Sequence, residues 1–191
     1  MNSIEMTIVP DRERPRVAAR RAAEPASAAG EYLSFRLGIE EYGIDIMCVQ
    51  EIRSYGAPTR IANAPDFVKG VIDLRGVIVP IVDLRLKFGL EDASYDTLTV
   101  VVILNLGRQV FGVVVDAVSG VVQLMSEQVR PVPEFSQMVD DSFLRGIASI
   151  AGRESQPDRM LMLVDIERLL SSSGPGLVGS SCWRSFRCIE R

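Results

Sequence analysis

Residues 70–89 read GVIDLRGVIVPIVDLRLKFG, from Gly70 to Gly89. Val71, Ile72 and Leu74 lead into the pair Arg75-Gly76, and Val77, Ile78, Val79, Ile81 and Val82 leave it. A Val/Ile run this dense suits strands buried on both faces. The stretch therefore predicts a strand, a tight turn at Arg75-Gly76, a second strand and a run into a short helix. Gly76 gives the turn a positive φ without steric cost. Arg75 then stands at the tip of a rigid hairpin, where its guanidinium faces solvent or a partner. Asp73 and Asp83 each precede an Arg by two residues, and this alternation predicts solvated or ion-paired side chains. Pro80 interrupts the second strand, which predicts an edge or a bulge there.

Working outward, the chain of 191 residues has room for one ordinary domain or two small subdomains. Its hydrophobic content of 47% supports a sizeable core, and the abundance of Val with few long amphipathic stretches points to a mainly β fold. The formal charge of −4 is uneven: residues 1–30 sum to +1, residues 171–191 to +2, and residues 31–170 to −7. An acidic core is a poor match for nucleic acid or an anionic membrane and suits protein partners. The chain has no His, which removes imidazole base catalysis, Ser-His-Asp triads, His-rich zinc sites and a phosphoacceptor histidine. Cys48, Cys182 and Cys188 form no C-x-x-C, so neither a disulfide framework nor a metal site is expected. Cys48 reads as a small buried hydrophobe. No apolar run has the length of a membrane span, and no signal-peptide pattern opens the chain. A reducing, cytoplasmic setting is the expectation.

In chain order, residues 1–30 are Ala-, Arg- and Pro-rich and read as a disordered leader. Leu33, Phe35 and Leu37 alternate with Ser34 and Arg36 as in a strand, and Tyr42 to Ile46 returns as the second arm of a hairpin. Ile46, Val49 and Ile52 have helical spacing, so a short helical turn is expected there, with Glu51 on its polar side. Leu84 to Leu90 reads as one or two helical turns ended by Gly89. Further strands are expected at Thr97–Asn105, Gln109–Asp116, Ala117–Leu124, Phe143–Ile150 and Met160–Val164, and Asp165 caps a helix at Ile166–Leu170. Polar loops at Glu91–Asp96 and Ala151–Arg159 separate them. The hairpins before and after about residue 93 would each close a small barrel. Residues 171–191 read as a flexible tail, and its formal G-x-G-x-x-G at residues 174–179 lacks the βαβ context of a dinucleotide site.

No catalytic constellation is expected. Asp73 and Asp83 are a carboxylate pair only on paper, since each neighbours an Arg. Asp45 and Asp116 each end a strand, where Asp binds its own backbone. Arg75 and Glu51 stand apart: if their turns meet, they form a charge pair beside an apolar patch. An exposed ion pair is worth only ~0–1 kcal/mol, so positioning a rim charge for a partner is the stronger reason to keep one. A small-barrel binder of single-stranded nucleic acid is the alternative class, but it needs a basic groove with exposed aromatics, and aromatics are only 6% of the chain.

The phrases FRLGIEEYGIDIMCVQEIR, ANAPDFVKGVIDLRGVIVPIVDLRLKFG, FGVVVDAVSGV and DRMLMLVDIERLL, in this order across residues 31–170, resemble the CheW-type chemotaxis coupling proteins. The resemblance implies two intertwined five-stranded SH3-like β-barrels with short helices, no enzymatic activity and no cofactor. It implies an adaptor, or scaffold, that links the cytoplasmic tip of chemoreceptors (methyl-accepting chemotaxis proteins) to the regulatory domain of the histidine kinase CheA. Such a protein takes part in chemotaxis signal transduction from the cytoplasmic side of receptor arrays, without inserting into the membrane. Carried over by motif, Val49 and Glu51 match the receptor- and kinase-coupling region, and Arg75 and Gly76 match the hairpin tip whose Arg pairs with that Glu. Gly70 and Gly112 match glycines at packing and binding surfaces. Val100 and Val101 match the apolar groove that takes the receptor tip.

Overall fold

Strong strand formers and few helix-length amphipathic runs give a fold that is mostly strands among the described residues. The computed structural model describes residues 29–90, 94–107, 109–132, 143–151 and 158–171. Residues 1–28 of the leader, residues 172–191 of the tail with its glycine pattern, and most of the loop 151–159 lie outside the described residues, while Gly30 opens β1 and Ser171 ends α2. In order, the elements are β1 (Gly30–Leu37), β2 (Glu40–Asp45), a 3-10 turn (Ile46–Cys48), β3 (Val49–Ser54), β4 (Val68–Leu74), β5 (Val77–Asp83) and α1 (Leu84–Lys87). They continue with β6 (Val100–Leu106), β7 (Gln109–Val115), β8 (Ala117–Leu124), a second 3-10 turn (Ser126–Gln128), β9 (Val129–Arg130), β10 (Leu144–Ile150), β11 (Arg159–Val164) and α2 (Ile166–Ser171).

Two sheets result. One has the order β8-β1-β2-β11-β10-β9 and the other β3-β6-β7-β5-β4. Both are rolled. In the first, only residues 125–128 join β8 to β9, the two ends of the strand order. Five Cα steps reach about 18 Å at most, whereas a flat six-stranded sheet would hold its outer strands about 24 Å apart. In the second, Thr59 pairs with Val71, which brings the chain leaving β3 back against β4. The SH3-like expectation is met in this curl, with the two-residue β9 as a sixth strand of the first sheet.

The division near residue 93 is not observed. β6 and β7 complete the sheet of β3–β5, while β1 and β2 pair with β8 and β11 across the chain. The chain crosses between sheets at the 3-10 turn after β2 and again at Asp116, the single residue between β7 and β8. Period-two alternation explains how strands serve two cores at once. Val102 and Leu104 face the large cluster between the sheets, with Leu33, Phe35, Leu37, Val113 and Val115. Val101 and Ile103 face the opposite way, into a smaller cluster with Leu74, Val79, Ile81 and Val114. A third cluster, Tyr32, Leu124, Ala148, Leu161 and Leu163, fills the first sheet. Each fully buried side chain of this kind is worth roughly 1.5–3 kcal/mol.

Local expectations fare unevenly. Gly89 ends α1 with φ 74°, and Asp165 accepts from the Arg168 N–H at 3.0 Å to start α2. Pro80 lies on a strand with neighbours on both sides, yet β7 pairs with β5 only from Ile81 onward, so the proline's missing N–H falls at a local edge. The short helical turn expected over residues 46–52 is present as the 3-10 turn Ile46–Cys48, while Val49–Ile52 form a strand, because β3 pairs with β6 and carries a bulge between Val49 and Glu51. The strand expected from Thr97 starts only at Val100. Asp96 instead turns the chain, its Oδ1 accepting from Leu98 and Thr99 N–H at 2.8 and 2.9 Å. Cys48 is half-buried rather than buried, and burial beside Asp45 pushes its thiol pKa up.

Candidate functional site

The Arg75-Gly76 turn takes the tight left-handed form that joins twisted strands. Arg75 has φ 56° and Gly76 φ 87°, and the Gly76 N–H donates to Asp73 Oδ1 at 2.6 Å. Positive φ at both central residues is the twist-matched hairpin geometry, and a non-glycine residue held there is uncommon. Arg75 projects with 78% of its side chain exposed, and its Nη2 donates to Glu51 Oε2 at 2.9 Å. Glu51 comes from β3, the strand at the other end of the sheet order. The bulge beside Glu51 and the roll of the sheet bring the two together. Next to them in the chain stand exposed apolar residues: Ile52 on β3 is 45% exposed, and Val77 and Ile78, directly after the turn, are 54% and 50% exposed.

The other residues singled out from the sequence divide into two groups. Val49 is half-buried against the large core, and Val100, across the ladder from Ser54, is half-buried there too. Val101 is 4% exposed and belongs to the small core beneath β3 and β6. Gly70 and Gly112 are packing glycines. At Gly70, φ is 137° and a Cβ would meet the Thr59 carbonyl oxygen at 2.0 Å. At Gly112 a Cβ would stand 2.4 Å from Ile81 Cδ1 and 2.9 Å from Val101 Cγ1. The structure thus brings Glu51, Arg75 and Gly76 together at one rim, with Gly70, Val101 and Gly112 in the scaffold under it.

The ion pairing that the sequence allowed for Asp83 and Arg85 is present, inside a buried cluster that the sequence did not reveal. Asp83 is fully buried and Arg85 is 3% exposed, with Arg85 Nη2 at 3.3 Å from Asp83 Oδ2. Arg85 Nη1 donates to the Ser94 carbonyl at 2.5 Å and stands 2.7 Å from Asp116 Oδ1, close as an ion pair though not aligned as a hydrogen bond. The Tyr95 hydroxyl donates to Asp83 Oδ2 at 2.7 Å, and its ring stacks on Tyr55 at 4.5 Å. Burial and the bond to Asp83 push the Tyr95 hydroxyl pKa well above its ordinary value. Burial opposes the charge on Arg85, but Asp83 and Asp116 outweigh it and raise its pKa. Asp116 therefore does not simply bind its own backbone: its Oδ2 accepts from the Gly38 N–H at 2.6 Å, in the β1–β2 turn.

Chemically, the site is built for contact. Asp73 caps a turn and Asp83 is sealed at the far end of β5, so the two form no carboxylate pair. Among the described residues no cluster of His, Cys, Asp or Glu could hold a metal ion. No described helix is long and apolar enough to cross a membrane.

The family model of the CheW-like domain matches residues 31–174. The chain is 56% identical over 148 residues to the chemotaxis protein CheW of Klebsiella aerogenes, covering 78% of this chain and 86% of that one. It is 35% identical over 143 residues to the probable chemotaxis protein CheW of Rhizobium etli, covering 75% and 88%. The crystal structure of the scaffolding protein TtCheW from Thermoanaerobacter tengcongensis superposes with a TM-score of 0.66 at 29% identity, over 76% of this chain and 90% of that one. A family model matched over most of the chain, relatives at 56% and 35% identity and a superposable fold converge on one conclusion: this chain belongs to the CheW-like domain family.

Proposed function

We propose that the chain is a non-catalytic adaptor of chemotaxis signalling, coupling the cytoplasmic tip of chemoreceptors to the histidine kinase CheA. One observation carries the residue-level reading: an ion pair between a hairpin tip and a distant strand, Arg75–Glu51, sits exposed, with the exposed apolar Ile52, Val77 and Ile78 close to it in the chain. Such a pair adds little to stability, so its use lies in presenting fixed charge beside an apolar surface. In this reading Val49, Glu51, Arg75 and Gly76 form the coupling surface. Val100 and Val101 support this surface from the two cores on either side of β6, and Gly70 and Gly112 let the strands beneath it approach closely. Residues 31–170 are the docking unit, with residues 1–30 and 171–191 as appendages. The adaptor works from the cytoplasmic face of the receptor array and transforms no substrate.

Co-sedimentation of the purified chain with receptor-containing membranes and CheA tests the reading. Wild type is expected to bring CheA down with the membranes, and Arg75→Glu to lose control of the kinase while staying folded. Normal ternary assembly and kinase control by the folded variant would remove Arg75 from the coupling surface.

A further inference from the structure

The cluster around Arg85 lies at neither rim nor groove, and nothing in the coupling function has yet used it. Its geometry spans the two sheets. Asp83 and Arg85 end the β5–α1 segment of the second sheet. Asp116 is the crossover residue, and it is tied to the first sheet twice: its backbone N–H donates to the Arg36 carbonyl at 3.1 Å and its Oδ2 accepts from Gly38 at 2.6 Å. The 2.7 Å approach of Arg85 to Asp116 thus joins the second sheet to a point fixed on the first. Tyr95 and Ser94 hold the guanidinium from a third side, with the Tyr95 ring 4.8 Å from its carbon.

Burying this ion cluster gains little stability over an apolar replacement, because desolvation offsets most of the attraction. What it adds is direction. Hydrophobic burial in the large core between the sheets is non-directional, whereas a planar guanidinium held between carboxylates fixes one geometry. We propose that Arg85 is a positioning residue: through Asp116 it locks the rotation of one rolled sheet against the other, and so fixes the angle at which the second sheet, which carries the coupling surface, is held on the first. The angular consequence rests on the adaptor reading, while the lock itself does not.

The test uses the full chain with Cys48, Cys182 and Cys188 changed to Ser and spin labels placed at Arg53→Cys on β3 and Gln123→Cys on β8, both exposed. Arg85→Met removes the charge and keeps much of the bulk; Asp116→Asn, a milder change, serves should Arg85→Met not fold. The expected result is a folded variant whose label-to-label distance distribution is broader than wild type. It should bind receptor fragment and CheA regulatory domain separately as wild type does, yet lose about tenfold in the coupling between them, the usual scale for linked sites. An unchanged distance distribution in a folded variant overturns the lock. A broadened distribution with undiminished coupling overturns its role in holding the coupling surface at that angle. A wild-type chain that fails to bridge the two partners counts against the adaptor reading alone, and the distance measurement then decides the lock by itself.

Discussion

Arg75 and Glu51 meet at 2.9 Å although their strands stand at opposite ends of the sheet order. The contact therefore reports the curl of the sheet as much as the attraction of two charges. Glu51 is the more covered partner, at 23% side-chain exposure against 78% for Arg75. A pair this open contributes no more than about 1 kcal/mol. Arg75→Ala and Glu51→Ala should each shift stability by less than that, measured by urea denaturation. The double reversal Arg75→Glu with Glu51→Arg should recover stability but not ternary assembly, because a partner reads the sign of each charge at its own place. Assembly that returns together with stability would show that the pair matters only to the fold.

The left-handed φ of 56° at Arg75 carries its own expectation. Glycine occupies that conformation freely, while a side-chain-bearing residue is strained there by roughly 1 kcal/mol. Arg75→Gly should therefore leave the midpoint of thermal unfolding unchanged or raised while abolishing coupling. A drop of several degrees would mean that the ion pair holds the turn.

Gly112 and Gly70 should rank clearly. Gly112→Ala forces a methyl against Ile81 Cδ1 and should cost about 1–3 kcal/mol. Gly70→Ala meets backbone at positive φ and should cost at least about 3 kcal/mol. Ile81→Val removes the obstructing Cδ1, so it should destabilise wild type yet partly rescue Gly112→Ala. Additive losses in the double variant, read by chemical denaturation, would contradict the assigned clash.

Alkaline pH should weaken the fold through Tyr95. Its folded pKa is raised from 10.0 by burial and by the bond to Asp83, so the unfolded chain ionises first. The contribution of Tyr95 is complete below about pH 10 and declines as pH rises toward the folded value. Tyr95→Phe should flatten the fall in stability between pH 9 and 11, in denaturation series run at each pH. An unchanged slope would mean that Tyr95 is not held against Asp83 in solution.

Asp96 gives the opposite sign. Bonds from the Leu98 N–H, the Thr99 hydroxyl and the Thr99 N–H hold its carboxyl below the ordinary 3.8. Its contribution is present above that value and is lost as pH falls through the depressed folded pKa. Asp96→Asn should therefore narrow the difference in melting temperature between pH 5 and pH 2. Equal acid sensitivity in both proteins would contradict the capping turn.

Some of this was legible in the residues themselves. The density of Val and Ile around Arg75-Gly76 announced the hairpin, and Asp165 announced its helix, because both signals are local; burial on both faces holds only from Val79, since Val77 and Ile78 lie at the exposed tip. Val49–Ile52 misled, since a bulge breaks the alternation that marks a strand and leaves a spacing that imitates a helix. The division near residue 93 failed because strand partners are chosen by tertiary packing, and Gly30 opposite Leu124 leaves no local trace. Asp83 and Arg85 are ion-paired, one of the two readings their alternation allowed, but their burial was not legible. Asp83 is the N-cap of α1, which turns Arg85 inward, and its second carboxylate comes from Asp116, far along the chain.

The pairing of β1 with β8 also governs how the molecule is made. When the first hairpin leaves the ribosome, the strand that must lie against β1 has not yet been translated. At about 5–20 residues per second, that delay is on the order of ten seconds. Until then Tyr32, Leu33 and Phe35 ride on a nascent hairpin with an open hydrogen-bonding edge, and β3–β7 must assemble first as an insert. Synthesis of this chain is thus exposed to premature sticking at its beginning, the hazard that a holdase chaperone exists to cover.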